Sequence, residues 1–219
     1  MEDIYIAHIN EETKEIQTVK EHSENTAKLC KSFAIDELKD LAYAIGKLHD
    51  TGKYQQSFQR RIRGDNIRVE HSICGAIEAD KKFPLPLGKM AAYCIAGHHS
   101  GLPDGGVKGD RKTPDLPTLY ARLSRPQEDY NAYEKELPVP DLDGEKFEKF
   151  LIKDCEGNAD ILVDKFAFLT RYCFSCLTDA DTIDTVMFNE GEPERRLHAD
   201  FEACLSKINR RIDSFVCRT

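Results

Sequence analysis

Five of the seven histidines in this 219-residue chain are spaced as a metal site would need them: His22, His49, His71, His98 and His99. His49 is followed by Asp50 in the string LHDTGK, and His98 and His99 are adjacent in GHHSG. Two acids, Asp179 and Asp181, follow late in DADTIDT. Imidazole and carboxylate together suit Mn, Fe, Ni, Co or Zn better than Mg or Ca, which prefer all-oxygen shells. A carboxylate can join two cations through its two oxygens, whereas an imidazole offers one lone pair. Each piece alone is weak, because a lone helical histidine is usually a surface or rim residue. Taken together the pieces make most sense as one centre.

Such a centre needs elements that bring distant residues together. Apolar periodicity predicts helices over 17–33, 36–50, 54–62, 70–81, 88–98, 145–155, 159–182 and 195–216, with a short extended piece near 3–8. In the second helix Leu38, Leu41, Ala42, Ile45 and Leu48 recur at steps of three and four, a core-facing stripe. His49–Asp50 and His98–His99 each fall where a helix ends. There both neighbours can face one cavity, whereas in mid-helix they would diverge by about 100°. His71 belongs to the first turn of its helix, and Asp181 to the end of another. Five glycines fall between Gly97 and Gly109, and six of the nine prolines between Pro103 and Pro140. That stretch cannot be one helix, so a long loop with a short helix near Leu119–Leu123 is expected. The fold class is therefore all-α: a helical bundle with little or no sheet. It forms a single domain over 1–219 with an irregular region at about 99–144.

Composition sets outer limits. Apolar residues make up 40% of the chain, enough for a core. The longest uninterrupted apolar run, Met90–Gly97, is eight residues, and a bilayer needs about 20. No secretory signal is visible, and eight dispersed cysteines then suggest a reduced, cytoplasmic protein. Cys173 and Cys176 form the only CxxC and are expected to be buried structural thiols. A formal charge of −8 excludes affinity for nucleic acid through bulk charge. A local basic stretch remains, with Lys53, Arg60, Arg61, Arg63 and Arg68 against Asp65 alone. Lys53, Arg60, Arg61 and Arg63 are the candidate nucleic-acid contacts. Residues 128–149 are acidic. Phe166, Phe168, Tyr172 and Phe174 are expected in the core, and His198 on the surface.

The order His, His-Asp, His, His-His, Asp resembles the HD superfamily of metal-dependent phosphohydrolases. More closely, it is similar to the HD nuclease domain of the type I CRISPR-associated helicase–nuclease. The resemblance is carried by IAH at 6–8, QTVKEHSENTA at 17–27, KLHDTGKYQQSFQ at 47–59, EHSICGA at 70–76, GHHSGL at 97–102 and ADTIDT at 180–185. It implies two divalent transition metal ions (Mn, Ni, Co, Fe or Zn, with Mg admitted). His22, His49, Asp50 and the late Asp would hold one; Asp50, His71, His98 and His99 would hold the other, with Asp50 bridging. The family pattern of Ala-Asp followed four residues later by Ser or Thr favours Asp181 over Asp179. Asp50 and Lys53 are the expected catalytic residues, Lys53 as a phosphate contact or a stabiliser of developing charge. His8 matches a family Ala-His but is expected to be structural.

The resemblance also implies cleavage of single-stranded DNA in CRISPR interference. The partners would be a helicase domain or subunit and a CRISPR surveillance complex. No GxxxxGK[ST] segment is present, so a stand-alone nuclease subunit or a fragment of a helicase fusion is expected. Two other functions suit the same ligands: hydrolysis of small nucleotides, and a non-catalytic metal-stabilised helical module that docks a partner.

Overall fold

The computed structural model describes residues 4–191 and 201–213; His198 lies outside them. The chain opens with a hairpin of two short antiparallel strands, β1 (Ile6–Ile9) and β2 (Ile16–Thr18). Thr18 then starts α1 (Val19–Phe33) with a capping box. Its hydroxyl accepts from the Glu21 amide at 3.1 Å while the Glu21 carboxylate accepts from the Thr18 amide at 2.9 Å. This corrects the expectation of a helix from residue 17. Gln17 is spent on the hairpin, and Thr18 is a better cap than a helical interior residue.

A 3₁₀ turn at Asp36–Leu38 leads into α2 (Lys39–Leu48). A second 3₁₀ turn, Thr51–Tyr54, links it to α3 (Gln56–Ile62). Then come α4 (Ser72–Lys82) and α5 (Leu87–Gly97), followed by an irregular stretch holding α6 (Leu119–Arg122) and α7 (Tyr133–Glu136). The chain continues through α8 (Gly144–Ile152), α9 (Ala159–Glu190) and α10 (Phe201–Asp213). Helix is the dominant structure and the hairpin is the one sheet among the described residues. None of their helices is long and apolar enough to cross a membrane.

Packing follows the apolar stripes. α1 lies on α2, α4 on α5, and α9 crosses α1, α2 and α5. Leu38, Leu41, Ala42, Ile45 and Leu48 are all buried, as their spacing predicts. They pack in one cluster with Val19 and Cys30 of α1, Ile73 and Ala76 of α4, Met90 and Ile95 of α5, and Cys173 and Leu177 of α9. Gly75 allows the close approach of α4 to α2: a Cβ there would stand 1.8 Å from the Leu48 carbonyl oxygen.

α9 runs to Glu190 rather than ending near 182. No Gly or Pro interrupts it before Gly191, which adopts φ 81° and caps it by donating its N–H to the Met187 carbonyl. Phe166, Tyr172 and Phe174 pack against the core, but Phe168 is 65% exposed and is corrected to the solvent face of α9. Cys173 and Cys176 are buried free thiols, and burial raises the Cys173 thiol to about 12.

The irregular region is pinned rather than loose. The Leu119 amide bonds to the Asp104 carbonyl, and the Thr118 hydroxyl to Asp110. Tyr130 and Tyr133 both donate to Glu78 of α4, at 2.9 and 2.5 Å.

Candidate metal centre

Five places in the fold deliver side chains to one point. His22 comes from the first turns of α1. His49 is the residue just past α2, and Asp50 follows it with φ −110° and ψ 19°, where the chain turns into the 3₁₀ segment. His71 sits at the N-cap of α4. His98 and His99 follow the last turn of α5. Asp181 projects from within α9. Gly52 makes this convergence possible, because a Cβ there would lie 2.1 Å from the His71 carbonyl oxygen. The Asp50 turn can lie against the His71 backbone only with hydrogen at that position.

The donor atoms form two groups around Asp50. In the first, His22 Nε2 is 3.2 Å from Asp50 Oδ2, 3.2 Å from Asp181 Oδ1 and 3.1 Å from His49 Nε2. His49 Nε2 is 3.3 Å from the same Asp50 oxygen. In the second, Asp50 Oδ1 stands 3.4 Å from His71 Nε2 and 3.6 Å from His98 Nε2, and His71 Nε2 is 2.7 Å from His99 Nε2. One donor atom from each of His22, His49 and Asp181, and from each of Asp50, His71, His98 and His99, lies within 4.8 Å of the others in its group. Each carboxylate oxygen of Asp50 thus faces a different imidazole group, as a bridging ligand requires. All seven sequence-predicted ligands converge. Asp179, on the opposite side of α9, is exposed.

Hydrogen bonding decides which ring nitrogens are available. His49 Nδ1–H donates to the Gly46 carbonyl at 2.8 Å, and His98 Nδ1–H to the Ile95 carbonyl at 2.7 Å. His22 Nδ1–H donates to Asp184 Oδ2 at 2.7 Å. Each leaves Nε2 pointing inward as the atom that can meet a cation, the arrangement expected of metal-bound histidines. Asp50 Oδ1 and His98 Nε2 are buried and have no hydrogen-bond partner, a costly state for polar atoms that nothing fills. Two Nε2 atoms 3.1 Å apart, as in His22 and His49, also repel unless a proton or a cation lies between them. Ligands held about 2.1 Å from one ion sit roughly 3.0–3.4 Å apart, close to the spacing observed. The residues present fit a pair of divalent cations.

Charge is unevenly spread. Burial opposes the charged form of His22 and of His49. Asp181, Asp184 and Asp50 outweigh it and raise His22 to about 9, and Asp50 and Asp181 raise His49 to about 10. Burial, with His98 and His71 adjacent, lowers His99 to about 4. Asp50 would be raised by its own complete burial, but Lys53 and His49 hold it well below the usual carboxylate range.

Lys53 is buried, its Nζ 2.7 Å from Asp50 Oδ2 and 3.1 Å from His8 Nε2. It therefore does not share the open surface of Arg60, Arg61 and Arg63, which are exposed. His8 Nδ1 meets Gln17 Oε1 at 2.9 Å, and Gln17 Nε2 donates to Asp184 at 2.7 Å. Lys53, His8, Gln17 and Asp184 thus form a hydrogen-bonded chain from Asp50 round to His22. Sequence reasoning missed Asp184 and Gln17. The available signal was position: Asp184 lies three residues after Asp181, on the same face of α9.

A family model described as HD domain matches residues 19–136, more than half of the chain. The chain belongs to the HD domain family. The match spans His22, His49, Asp50, His71, His98 and His99, and the family assignment indicates a metal-dependent hydrolase. A comparison with curated proteins finds no match.

Proposed function

We propose that this HD domain is a nuclease that hydrolyses phosphodiester bonds of single-stranded DNA and serves CRISPR interference beside a helicase and a surveillance complex. The observation that carries the hydrolytic reading is Asp50, whose two oxygens each face a separate group of imidazole donors. His22, His49, Asp181 and Asp50 would hold one cation, and Asp50, His71, His98 and His99 the other. When bound, such a pair supplies Lewis-acid activation of water and neutralises charge on the phosphate. Lys53 keeps the Asp50 carboxylate ionised and fixed in orientation. Asp184 and the Gly46 and Ile95 carbonyls hold the imidazole tautomers that leave Nε2 free to bind.

A polymeric substrate is supported by the site's surroundings and by the motif resemblance. His99 lies at the exposed rim. The segment entering His71 carries exposed Arg61 and Arg68, which line a shallow cavity of about 450 Å³ with Asp65 and Asn66. The basic segment entering His71, within an otherwise acidic chain, is suited to a phosphate backbone.

The test is cleavage of a fluorescent single-stranded oligonucleotide with Mn, Ni or Co, beside an Asp50→Ala variant. Metal-dependent cleavage by the wild type alone supports the proposal. Equal cleavage by both proteins overturns it. Turnover of mononucleotides with the polymer left intact replaces it by nucleotide hydrolysis.

A further inference from the structure

We infer that Arg122, in the irregular region between α5 and α8, is a positioning residue for the half of the centre formed by His71, His98 and His99. The inference rests on the two-cation reading above.

One ligand of the second half lacks the support that His98 has from the Ile95 carbonyl and that His22 and His49 have in the first. His22 and His49 are both oriented through Nδ1, by Asp184 and by the Gly46 carbonyl. His71 is not: its Nδ1 is buried and has no hydrogen-bond partner. The Phe58 ring lies against its imidazole edge-on at 5.1 Å, which limits the ring's room but gives no directional bond. The place of His71 is therefore set chiefly by its backbone.

Arg122 holds the side chain of the residue that precedes His71. Its guanidinium, nearly buried, donates to Glu70 Oε1 through Nη2 at 2.7 Å and Nε at 3.2 Å. Glu70 is the residue immediately before His71. The same Nη2 donates to the Ala96 carbonyl at 2.9 Å. Ala96 is in the last turn of α5, where carbonyls lack helical partners and favour a cation, and it lies two residues before His98. One planar side chain thus ties together the two backbone segments that carry all three histidines. Arg125 braces the other Glu70 oxygen at 2.8 Å and also donates to the Pro114 and Leu116 carbonyls. This anchors the clamp to the loop that leaves His99.

A lysine cannot reproduce the clamp, since an ammonium has no fork that spans two acceptors in fixed geometry. Arg122→Lys and Glu70→Gln keep near-native bulk, and circular dichroism would verify that each folds. Mn(II) would be titrated into metal-free protein, with calorimetry and electron paramagnetic resonance reporting stoichiometry and spin coupling. The wild type is expected to bind two equivalents. In both variants the first equivalent should bind as in the wild type, and the second about tenfold or more weakly, with loss of the coupled signal. A general loss of packing would instead weaken both equivalents alike, and that result overturns the clamp. So does tight binding of both equivalents by the variants. A wild type that binds fewer than two equivalents overturns the two-cation reading, and the clamp with it.

Discussion

Asp50 is the residue on which the centre turns, because its two carboxylate oxygens face the two imidazole groups. Asp50→Asn keeps the shape but removes the charge and replaces one donor oxygen by an amide. We expect it to lose at least one of two metal equivalents, and hydrolysis with it, as measured by elemental analysis and assay of the same preparation. Asp184 acts one shell further out, through the His22 Nδ1–H bond. Asp184→Ala leaves that donor and the Gln17 amide buried without their acceptor, a loss of about 1–3 kcal/mol of stability for a buried polar group. Metal affinity should fall about 10–100-fold. Denaturant unfolding of the metal-free protein and a separate metal titration would check the two effects. Unchanged affinity beside the lost stability would assign Asp184 to the fold alone. The residues that converge were legible in the sequence because residue type and motif order are one-dimensional facts. The partners of the ligands were not. Nothing in Gln17 or Asp184 announces a bond between positions 167 apart in the chain, and Lys53 gave no sign that it would turn inward to Asp50.

At the scale of elements, the centre is an effect of where helices stop. The spacing of Leu38, Leu41, Ala42, Ile45 and Leu48 shows both that α2 exists and which face is buried, so the exit direction of His49 follows. The ends of helices are less legible. α9 continues past Asp181 because its stop is Gly191, and a polar run such as DADTIDT does not break a helix. The extended piece expected near 3–8 is β1, but its partner escaped notice because β2 is three residues long, too short for alternation to show. Nothing in the string LHDTGK marks Gly52 as the contact that seats the Asp50 turn on His71. Gly52→Ala places a methyl carbon 2.1 Å from the His71 carbonyl oxygen, so one of the two backbones must move. We expect a large loss of metal binding and a lowered melting temperature. Gly109→Ala is the control: its Cβ would meet only Val107 Cγ2, at 3.9 Å. Equal behaviour of the two variants would remove Gly52 from the account.

For the molecule as a whole, the irregular region must be held to the bundle, since it supplies Arg122 and the chain leaving His99. Glu78 does much of this from α4. It is 8% exposed and accepts from Tyr130 and Tyr133, with the Lys81 ammonium 3.4 Å away and that of Lys82 4.0 Å away. Burial pushes its carboxyl up, but the two tyrosine hydroxyls and Lys81 outweigh burial and hold it below the ordinary value of 4.5. A group whose pKa is depressed by folding contributes stability above its unfolded value and loses it as pH falls through the folded one. The attachment should therefore be intact at neutral pH and weaken below about pH 4.5. Protonation turns Glu78 from an acceptor of two hydroxyls into a group with one acceptor oxygen and no ion pair. Glu78→Gln, which carries no charge at any pH, should be less stable than the wild type at pH 7. It should also lack the part of the acid-induced fall in melting temperature that belongs to this carboxylate. Hydrogen exchange would locate the effect, with amides of 119–137 losing protection in the wild type on acidification and in Glu78→Gln already at pH 7. Acid profiles of identical steepness in the two proteins would mean that the loop is held to the bundle by its other bonds, from Arg111 to Asp80 and from Arg122 to the Ala96 carbonyl.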